Sequence, residues 1–550
     1  MKTMKKILLY CMPFCLLLAS CSDLLDEESY SETGKGNYLN NAKEAETVLQ
    51  GVYKNLANEY TYSYHLSLLF TISTDIAQCE GSSTTSFREI PTNSHNASTS
   101  QISRTWQQLY SAIYDANDFI ETVSGRMDSW GSSDRELATI YLGEARALRA
   151  LFYFELVRWY GNVVLMTSTA DSRKKDEDYE QTAAKDVYAY IEEDLKYAAE
   201  VLPWAVDDTK RTSNAYRFSK GAALGLLAKV YCTWAGYPVR DESKWAEAEK
   251  VARRVVESGK HRLISDYETV WKNTCNGIWD AGESLIEVSF YSPTGLDSDN
   301  TAGRIGKWNG VSATTIDGER GRNAANWKVV YTFTRDWEAQ NDPRMKLSIA
   351  DYKYDHTLGS GPITYFSTIS SANPSEDQKN RQRQLFTPGK WDTEKYVETS
   401  NYIVNNDKSN VNWYILRYSD VLLLFAEALN ESGGSIVDAV DAVNAVRRRG
   451  FGDTKHDLSY GLSREDLREA IRKERAYELC FEGHRKQDLI RWGIYYDRVM
   501  ETAQELVNWY SNANYAVARY IIKGRHELLP IPQRDLDMMP KCKQNSGWGQ

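Results

Sequence analysis

The sequence predicts a mainly α-helical protein. Helical hairpins of the tetratricopeptide type form a scaffold beside an irregular, loop-rich region with a few short strands. Two observations support this prediction. Apolar residues recur at helical spacing over most of the 550 residues. Between residues 260 and 415, by contrast, Gly, Asn, Ser, Thr and aromatic residues dominate, and only Ser284 to Phe290 has the pattern of a strand.

The helical pattern begins at Asn41 and is predicted to continue to Tyr60, because Ala45, Leu49 and Val52 fall on one face. Further amphipathic helices are predicted over 103–123, 134–160 (with Asp134 as the N-cap), 186–202 and 463–481. The segment 81–101 is small, polar and aperiodic. Long ordered loops of this kind are usually functional.

Two segments show the small-residue pattern of closely packed helical pairs. Ala222, Gly225 and Ala228 give one predicted helix a smooth face, and alanines and valines do the same for the helix that follows. The pattern returns over 418–450, where Gly433 lies in the predicted turn. Because small residues allow two helices to approach closely, these segments predict hairpins stacked into a scaffold for binding.

The N-terminus has the features of an exported lipoprotein. Three lysines precede a mostly apolar run over 7–18, which is too short to cross a bilayer but suits a secretory leader. Small residues then lead to Cys21, and Leu18 to Cys21 resembles a bacterial lipobox. We therefore expect Cys21 to be lipidated, because acyl chains would hold a soluble domain on a membrane.

Composition excludes several classes of protein. The formal net charge is −10, which disfavours binding to nucleic acid or to anionic lipid. Five cysteines follow Cys21, widely separated and odd in number, so neither a disulfide scaffold nor a zinc framework is predicted. No second long apolar run follows the leader. The chain has 36 Tyr and 16 Trp but 14 Phe. Tyr and Trp combine an apolar ring with a polar group, which suits a surface that contacts both water and a ligand.

Carboxylates at helical spacing raise the question of catalysis. Glu474, Glu478 and Glu482 stand four residues apart, with Asp488 and several arginines nearby. Acid–base catalysis would need paired carboxylates, but an ion-pair network joining two C-terminal helices is the preferred interpretation.

Other short motifs give no stronger indication of chemistry. Asp297 and Asp299 could bind calcium or form a glycosidase pair, but the calcium-loop pattern is incomplete and a solvated turn is preferred. The stretch 303–308 lacks the spacing of a phosphate loop. Histidines are dispersed, and no nucleophile or dinucleotide motif occurs. The sequence therefore predicts a protein that is not an enzyme and needs no cofactor or metal.

Several ordered segments resemble the SusD/RagB family of outer-membrane nutrient-binding lipoproteins. They are the lipobox with SDLLDEE, and residues 236–271, 413–431, 472–493 and 528–548. The resemblance spans the whole mature chain. The sequence departs from the family at Ser546, where proline is common, and at Met539-Pro540, where Asn-Pro is usual. Both departures lie in the tail.

The resemblance implies a surface-exposed lipoprotein of the outer membrane. A helical half would pack on a SusC-like TonB-dependent transporter, and a lid would capture an oligosaccharide or, in some members, a peptide. The chain then divides into a leader 1–20, a lipidated tether 21–40, a helical part 41–259 whose loop 81–101 joins the lid, a lid region 260–415, and a C-terminal helical part with its tail 416–550.

Aromatic residues in the aperiodic segments are the candidate ligand platforms, because a flat ring covers the C–H patch of a sugar while polar side chains bind its hydroxyls. The candidates are Trp279, Tyr291, Trp308, Asn309, Asn326, Trp327 and Tyr365, with Phe87 and Arg88 in the first loop. Each tryptophan could instead fill a small local core. Peptide capture, a tethered glycoside hydrolase and a pure assembly scaffold remain as alternative functions.

Overall fold

The computed structural model describes residues 39–292, 301–316, 318–358, 363–368 and 373–549. In these ranges the chain is mainly helical, as predicted, and its short strands pair two by two. Cys21, Asp297 and Asp299 lie outside the described residues.

Seven α-helices lie between residues 42 and 275, and the first six pack against one another. They are α1 Ala42–Lys54, α2 Ser100–Arg126, α3 Ser132–Tyr160, α4 Ala184–Val201, α5 Lys220–Ala235, α6 Lys244–Val256 and α7 Tyr267–Cys275. Helix α3 packs against α1, α2 and α4. It begins at Ser132, after Gly131, so the prediction of Asp134 as the N-cap is wrong. Asp134 lies in the first turn, where a negative charge favours the helix dipole.

The region 260–415 contains more helix than its composition indicates. Its helices beyond α7 are α8 Tyr331–Glu338, α9 Arg344–Ser348, α10 Glu376–Arg383 and α11 Thr393–Tyr396. The C-terminal helices are α12 Tyr418–Ser432, α13 Ile436–Phe451, α14 Arg464–Glu478, α15 Arg485–Arg491, α16 Tyr495–Trp509 and α17 Gln533–Met538.

Strand pairs connect distant parts of the chain. The strands are β1 Ala77–Cys79, β2 Val163–Val164, β3 Gln181–Thr182, β4 Ser284–Val288, β5 Trp327–Val329, β6 Ile349–Ala350, β7 Tyr352–Tyr354, β8 Ile363–Tyr365, β9 Thr387–Pro388 and β10 Trp413–Arg417. The antiparallel pairs are β1–β5, β2–β3, β4–β10, β6–β9 and β7–β8. Strand β4 confirms the strand predicted from Ser284, although it ends at Val288.

Small residues bring the predicted hairpins together. Helix α5 packs against α6, α12 packs against α13, and α12 also contacts α6. A Cβ atom added at Gly225 of α5 would lie 2.9 Å from Cδ2 of Leu416 in β10, so the glycine allows the strand pair to approach the helix. Gly433, after α12, has a φ of 79°, which suits glycine at a helix C-terminus.

The carboxylates at helical spacing form a buried ion-pair network, as the sequence indicated. The network connects more of the chain than the two C-terminal helices that were predicted to share it. Glu474 binds Arg344 at 2.7 Å, and Glu482 binds Lys390 at 2.8 Å and Arg417 at 2.7 Å. Because Arg344 and Lys390 belong to the region 260–415, the network joins that region to the C-terminal helices.

Candidate ligand-binding site

The loop 81–99 folds onto the region 260–415 through the β1–β5 pair. The backbone N–H of Glu80 continues this ladder by donating to the carbonyl oxygen of Asn326 at 2.7 Å. A 3₁₀ turn over Ser86–Arg88 then positions Phe87 beside Trp308. Helix α2 begins at Ser100, so it includes the last two residues of the predicted loop.

A tight turn carries Trp308. The side-chain Oδ1 of Asn309 accepts a hydrogen bond from the backbone N–H of Gly306 at 2.8 Å. A Cβ atom at Gly310 would lie 2.3 Å from the carbonyl oxygens of Gly306 and Trp391, so only glycine allows this close approach. The position of Trp308 is therefore fixed by the backbone around it.

Three aromatic side chains meet at this turn: Tyr64, Phe87 and Trp308. Tyr60 joins them through His65, whose ring centroid lies 5.2 Å from that of Tyr60 and 5.5 Å from that of Tyr64. We call Tyr60, Tyr64, Phe87 and Trp308 the aromatic cluster. The ring centroid of Trp308 lies 4.9 Å from that of Tyr64 and 5.0 Å from that of Phe87. Tyr64 is buried, whereas the other three rings are half-buried. Edge and tilted contacts of this kind stabilise aromatic pairs.

Arginines cover the rings of the aromatic cluster. The guanidinium carbon of Arg88 lies 4.5 Å from the centroid of Phe87, and that of Arg304 lies 5.2 Å from the centroid of Trp308. Arg104 lies 5.5 Å from the centroid of Tyr60. These are cation–π distances.

A cleft of about 410 Å³ lies next to the aromatic cluster, between α1, residues 213–217 and the end of β4. Tyr53, Tyr216 and Tyr291 line it, and Tyr291 is 68% exposed. The chain runs from the cleft into the cluster at two places, because Ala57 and Thr301 line the cleft a few residues before Tyr60 and Arg304.

Charged groups lie beneath this cleft. Arg217 binds Glu144 at 2.7 Å and also pairs with Glu46 at the cleft wall. Glu287 is buried and accepts hydrogen bonds from Asn412 at 2.8 Å and Ser284 at 2.7 Å. Burial raises the pKa of Glu287 to about 7, because these neutral donors only partly offset the cost of removing a carboxylate from water.

Burial also raises the pKa of Tyr216 to about 12, with a smaller contribution from Glu287. The Tyr216 hydroxyl donates to the carbonyl oxygen of Gly277, and its ring centroid lies 6.2 Å from that of the half-buried Trp279. Trp279 thus stands beside a residue that lines the cleft.

The structure brings together only some of the residues predicted to bind ligand. Phe87, Arg88 and Trp308 meet in the aromatic cluster, and Tyr291 lines the neighbouring cleft. Tyr365, in β8, is 48% exposed, but it packs against Tyr352 and does not line the cleft.

Three of the predicted residues serve the fold. Trp327 is 3% exposed, because β5 pairs with β1 and turns the indole into the core, so it cannot act as a platform in this conformation. Asn309 is fully buried and closes the turn. Asn326 is half-buried, and its carbonyl oxygen accepts from Glu80.

Sequence reasoning missed Tyr53, Tyr60, Tyr64, Tyr216 and Arg304. The tyrosine-rich run at 60–64 is an available signal, but the predicted first helix includes Tyr60 alone and leaves the tyrosines after it without a role. Helix α1 ends at Lys54, and a 3₁₀ turn and a π-helical turn follow, so these tyrosines lie on irregular backbone.

Neither a metal-ligating cluster nor a membrane-spanning helix occurs in the described residues. No group of three or more His, Cys, Asp or Glu side chains in these ranges could hold a metal ion. No helix in the same part of the chain has the length and apolar character needed to cross a bilayer.

Comparison with known proteins identifies the family. A model described as the SusD family matches residues 297–548, and one described as "Starch-binding associating with outer membrane" matches residues 23–232. A crystal structure of a SusD homolog from Bacteroides thetaiotaomicron is 54% identical, with 95% of this chain and 100% of that chain covered and a TM-score of 0.90.

Two more distant relatives are also described as SusD-like proteins. SusD-like protein P2 from Formosa agariphila is 27% identical over 499 residues, covering 89% of this chain and 91% of its own. A laminarin-binding SusD-like protein has a TM-score of 0.66 at 22% identity, over 92% of this chain and 100% of its own, which shows a shared fold. The chain belongs to the SusD family.

Proposed function

We propose that this protein is a surface-exposed lipoprotein of the outer membrane that captures oligosaccharides and delivers them to a SusC-like TonB-dependent transporter. Membership of the SusD family supports this proposal. The observation that carries it is the exposed ring of Tyr291 beside a cleft of about 410 Å³. A ring and a cleft of this kind suit a ligand with both apolar faces and hydroxyl groups.

The cleft offers both parts of sugar recognition. Tyr291 and Tyr216 present aromatic surface to the C–H patches of a pyranose, and Gln50, Ser213 and Ser289 line the same cleft with hydrogen-bonding groups. Covering about 100 Å² of apolar surface contributes about 2.5 kcal/mol per ring. Two such rings contribute about 5 kcal/mol, which corresponds to a dissociation constant of about 0.2 mM before hydrogen bonds and the cost of association are counted. Weak binding suits a protein that must release its ligand.

Replacing Tyr291 with alanine is expected to weaken glycan binding by up to about 70-fold, because loss of the exposed ring leaves the fold unchanged but removes about 2.5 kcal/mol of apolar contact with the sugar. The measurement is calorimetric titration of the full-length chain with laminarin and starch oligosaccharides. Tyr460→Ala is the matched control, since Tyr460 is 52% exposed in the segment between α13 and α14.

Three outcomes would contradict the proposal. Equal affinities for the parent chain and Tyr291→Ala would remove the cleft from the binding site. Binding of peptides with no affinity for any glycan would favour peptide capture instead, and turnover of an oligosaccharide would favour a tethered hydrolase.

The proposed anchor makes a separate prediction. Replacing Cys21 with serine is expected to release the protein from the membrane fraction, because serine has no thiol to acylate and acyl chains supply about 0.8 kcal/mol per buried methylene. Fractionation of cells, with mass measurement of the mature N-terminus, tests this. Cys11→Ser, the same change at a leader cysteine outside the lipobox, is the control. A Cys21→Ser protein that remains fully membrane-bound would contradict the proposal.

A further inference from the structure

We infer that the glycan bound at the aromatic cluster is anionic and carries carboxylate or sulfate groups. This inference rests on the proposed function and names the class of glycan that would reach from the cleft to the neighbouring aromatic cluster. It starts from the side chains that a ligand would meet first. The ring faces of Phe87 and Trp308 are not bare, because Arg88 and Arg304 lie over them.

The arginines that cover these rings determine which sugars the site can bind. A neutral sugar that stacks on Phe87 or Trp308 would have to displace a guanidinium group from the ring. An anionic sugar would instead bind the guanidinium groups where they already lie. Guanidinium matches the geometry of carboxylate and sulfate oxygens and forms charge-assisted hydrogen bonds with them. The rings then hold the arginines in place and limit the entropy lost on binding.

Two of these arginines, Arg88 and Arg104, carry positive charges that no ion pair neutralises in the described ranges. Arg88 donates from Nε to the carbonyl oxygen of Glu80 at 2.8 Å, and Arg104 donates from Nη1 to the hydroxyl oxygen of Tyr60 at 3.0 Å. Neither is within ion-pair distance of a carboxylate in the described ranges. A further arginine, Arg519, is exposed and approaches the same loop at Ser82.

Two of the nearby carboxylates are paired with cations. Glu59 binds Arg304 at 2.9 Å, and Glu80 lies 3.4 Å from Lys328. Glu89, beside Arg88, accepts a hydrogen bond from Thr99 at 2.7 Å, and Asp407 adds a negative charge that acts on Tyr64. Neither Glu89 nor Asp407 has an ion-pair partner in the described ranges, so Arg88, Arg104 and Arg519 leave one positive charge in excess. This local excess occurs on a chain whose formal net charge is −10, so it concentrates attraction for an anion at one place.

The test compares ligands that differ only in charge. The full-length chain, in non-ionic detergent, is titrated with a short oligogalacturonate and with its methyl ester, and then with a sulfated galactan oligosaccharide and its desulfated form. We expect at least one anionic sugar to bind about tenfold more tightly than its neutral counterpart. That preference should shrink as salt is raised. The two pairs distinguish carboxylate from sulfate recognition.

Single arginine variants test which residues cause the preference for anionic sugars. Arg88→Gln and Arg104→Gln should each weaken binding of the anionic sugar about tenfold and leave binding of its neutral form unchanged. Arg254→Gln, an exposed arginine of α6, is the control. Arg104 is exposed on α2, so its variant tests the inference even if Arg88→Gln fails to fold.

The outcomes separate the two proposals. Equal affinity for charged and neutral sugars, or a preference that survives both variants, would overturn the inference and leave glycan binding intact. If the chain bound none of these sugars and also no laminarin or starch oligosaccharide, the glycan-binding proposal itself would fail.

Discussion

Replacing Glu478 with glutamine is expected to lower the free energy of unfolding by about 3–5 kcal/mol. Glu478 is fully buried and faces three arginines: it lies 2.9 Å from Arg344 and 2.6 Å from Arg417, and it also pairs with Arg449. Glutamine keeps the shape but leaves three guanidinium groups facing a neutral amide. Their desolvation is then offset only by their remaining partners, such as Glu474 for Arg344 and Glu482 for Arg417.

The same residue gives stability a pH dependence. Burial alone would raise the pKa of Glu478, but the guanidinium groups of Arg449, Arg417 and Arg344 lower it well below its usual value of 4.5. A lowered pKa in the folded state means that the unfolded chain binds the proton more readily. The contribution of Glu478 is therefore complete above pH 4.5 and is lost as the pH falls below that value.

Chemical denaturation between neutral pH and pH 3 measures both effects. The Glu478→Gln chain should be less stable at neutral pH and should lose less stability on acidification than the parent. Glu465→Gln, on the same helix with a side chain that is 71% exposed, should change the stability by less than about 0.5 kcal/mol. A Glu478→Gln chain as stable as the parent would contradict the role given to the network.

The local spacing of apolar and small residues was sufficient to predict the helical scaffold. The helices predicted over 103–123 and 186–202 correspond to α2 and α4, and the small residues of α5 and α12 mark the hairpins. In these segments the period of apolar residues reports directly which face is buried, because helical contacts between neighbouring turns are local. The ends of the helices were predicted less accurately. Asp134, for example, is a residue type that favours the N-cap, but it lies inside the first turn.

The candidate site was harder to predict, because its residues meet through long-range pairing. Whether Trp327 is exposed depends on β1, which pairs with it from far away in the sequence. Trp308 is half-buried because Tyr64 and Phe87, from distant parts of the chain, pack against its ring. No local spacing predicts that Arg304 covers an indole, since the geometry depends on the turn as a whole. Aromatic composition therefore located the right region but could not separate platforms from core residues.

Replacing Trp391 with alanine is expected to destabilise the protein by about 3–5 kcal/mol. Trp391 is fully buried, and its ring stacks on that of Trp413 with centroids 5.1 Å apart and contacts Trp271 at 5.5 Å. Truncation leaves a large cavity between these two rings. Trp391→Phe should cost less, because it keeps an aromatic ring, and the Trp391 Nε1 has no hydrogen-bond partner among the described residues to lose. Urea unfolding of the three chains gives this order.

Trp391 also couples stability to the candidate site. The turn that carries Trp308 lies on the Trp391 backbone, since a Cβ atom at Gly310 would lie 2.3 Å from the Trp391 carbonyl oxygen. Collapse around a truncated Trp391 should shift this carbonyl, and with it Trp308 and the arginine that covers it. We therefore expect Trp391→Ala to weaken glycan binding even at temperatures where the chain remains folded, and Trp391→Phe to preserve it. Unchanged affinity in a destabilised Trp391→Ala chain would show that the turn keeps its shape without support from the core.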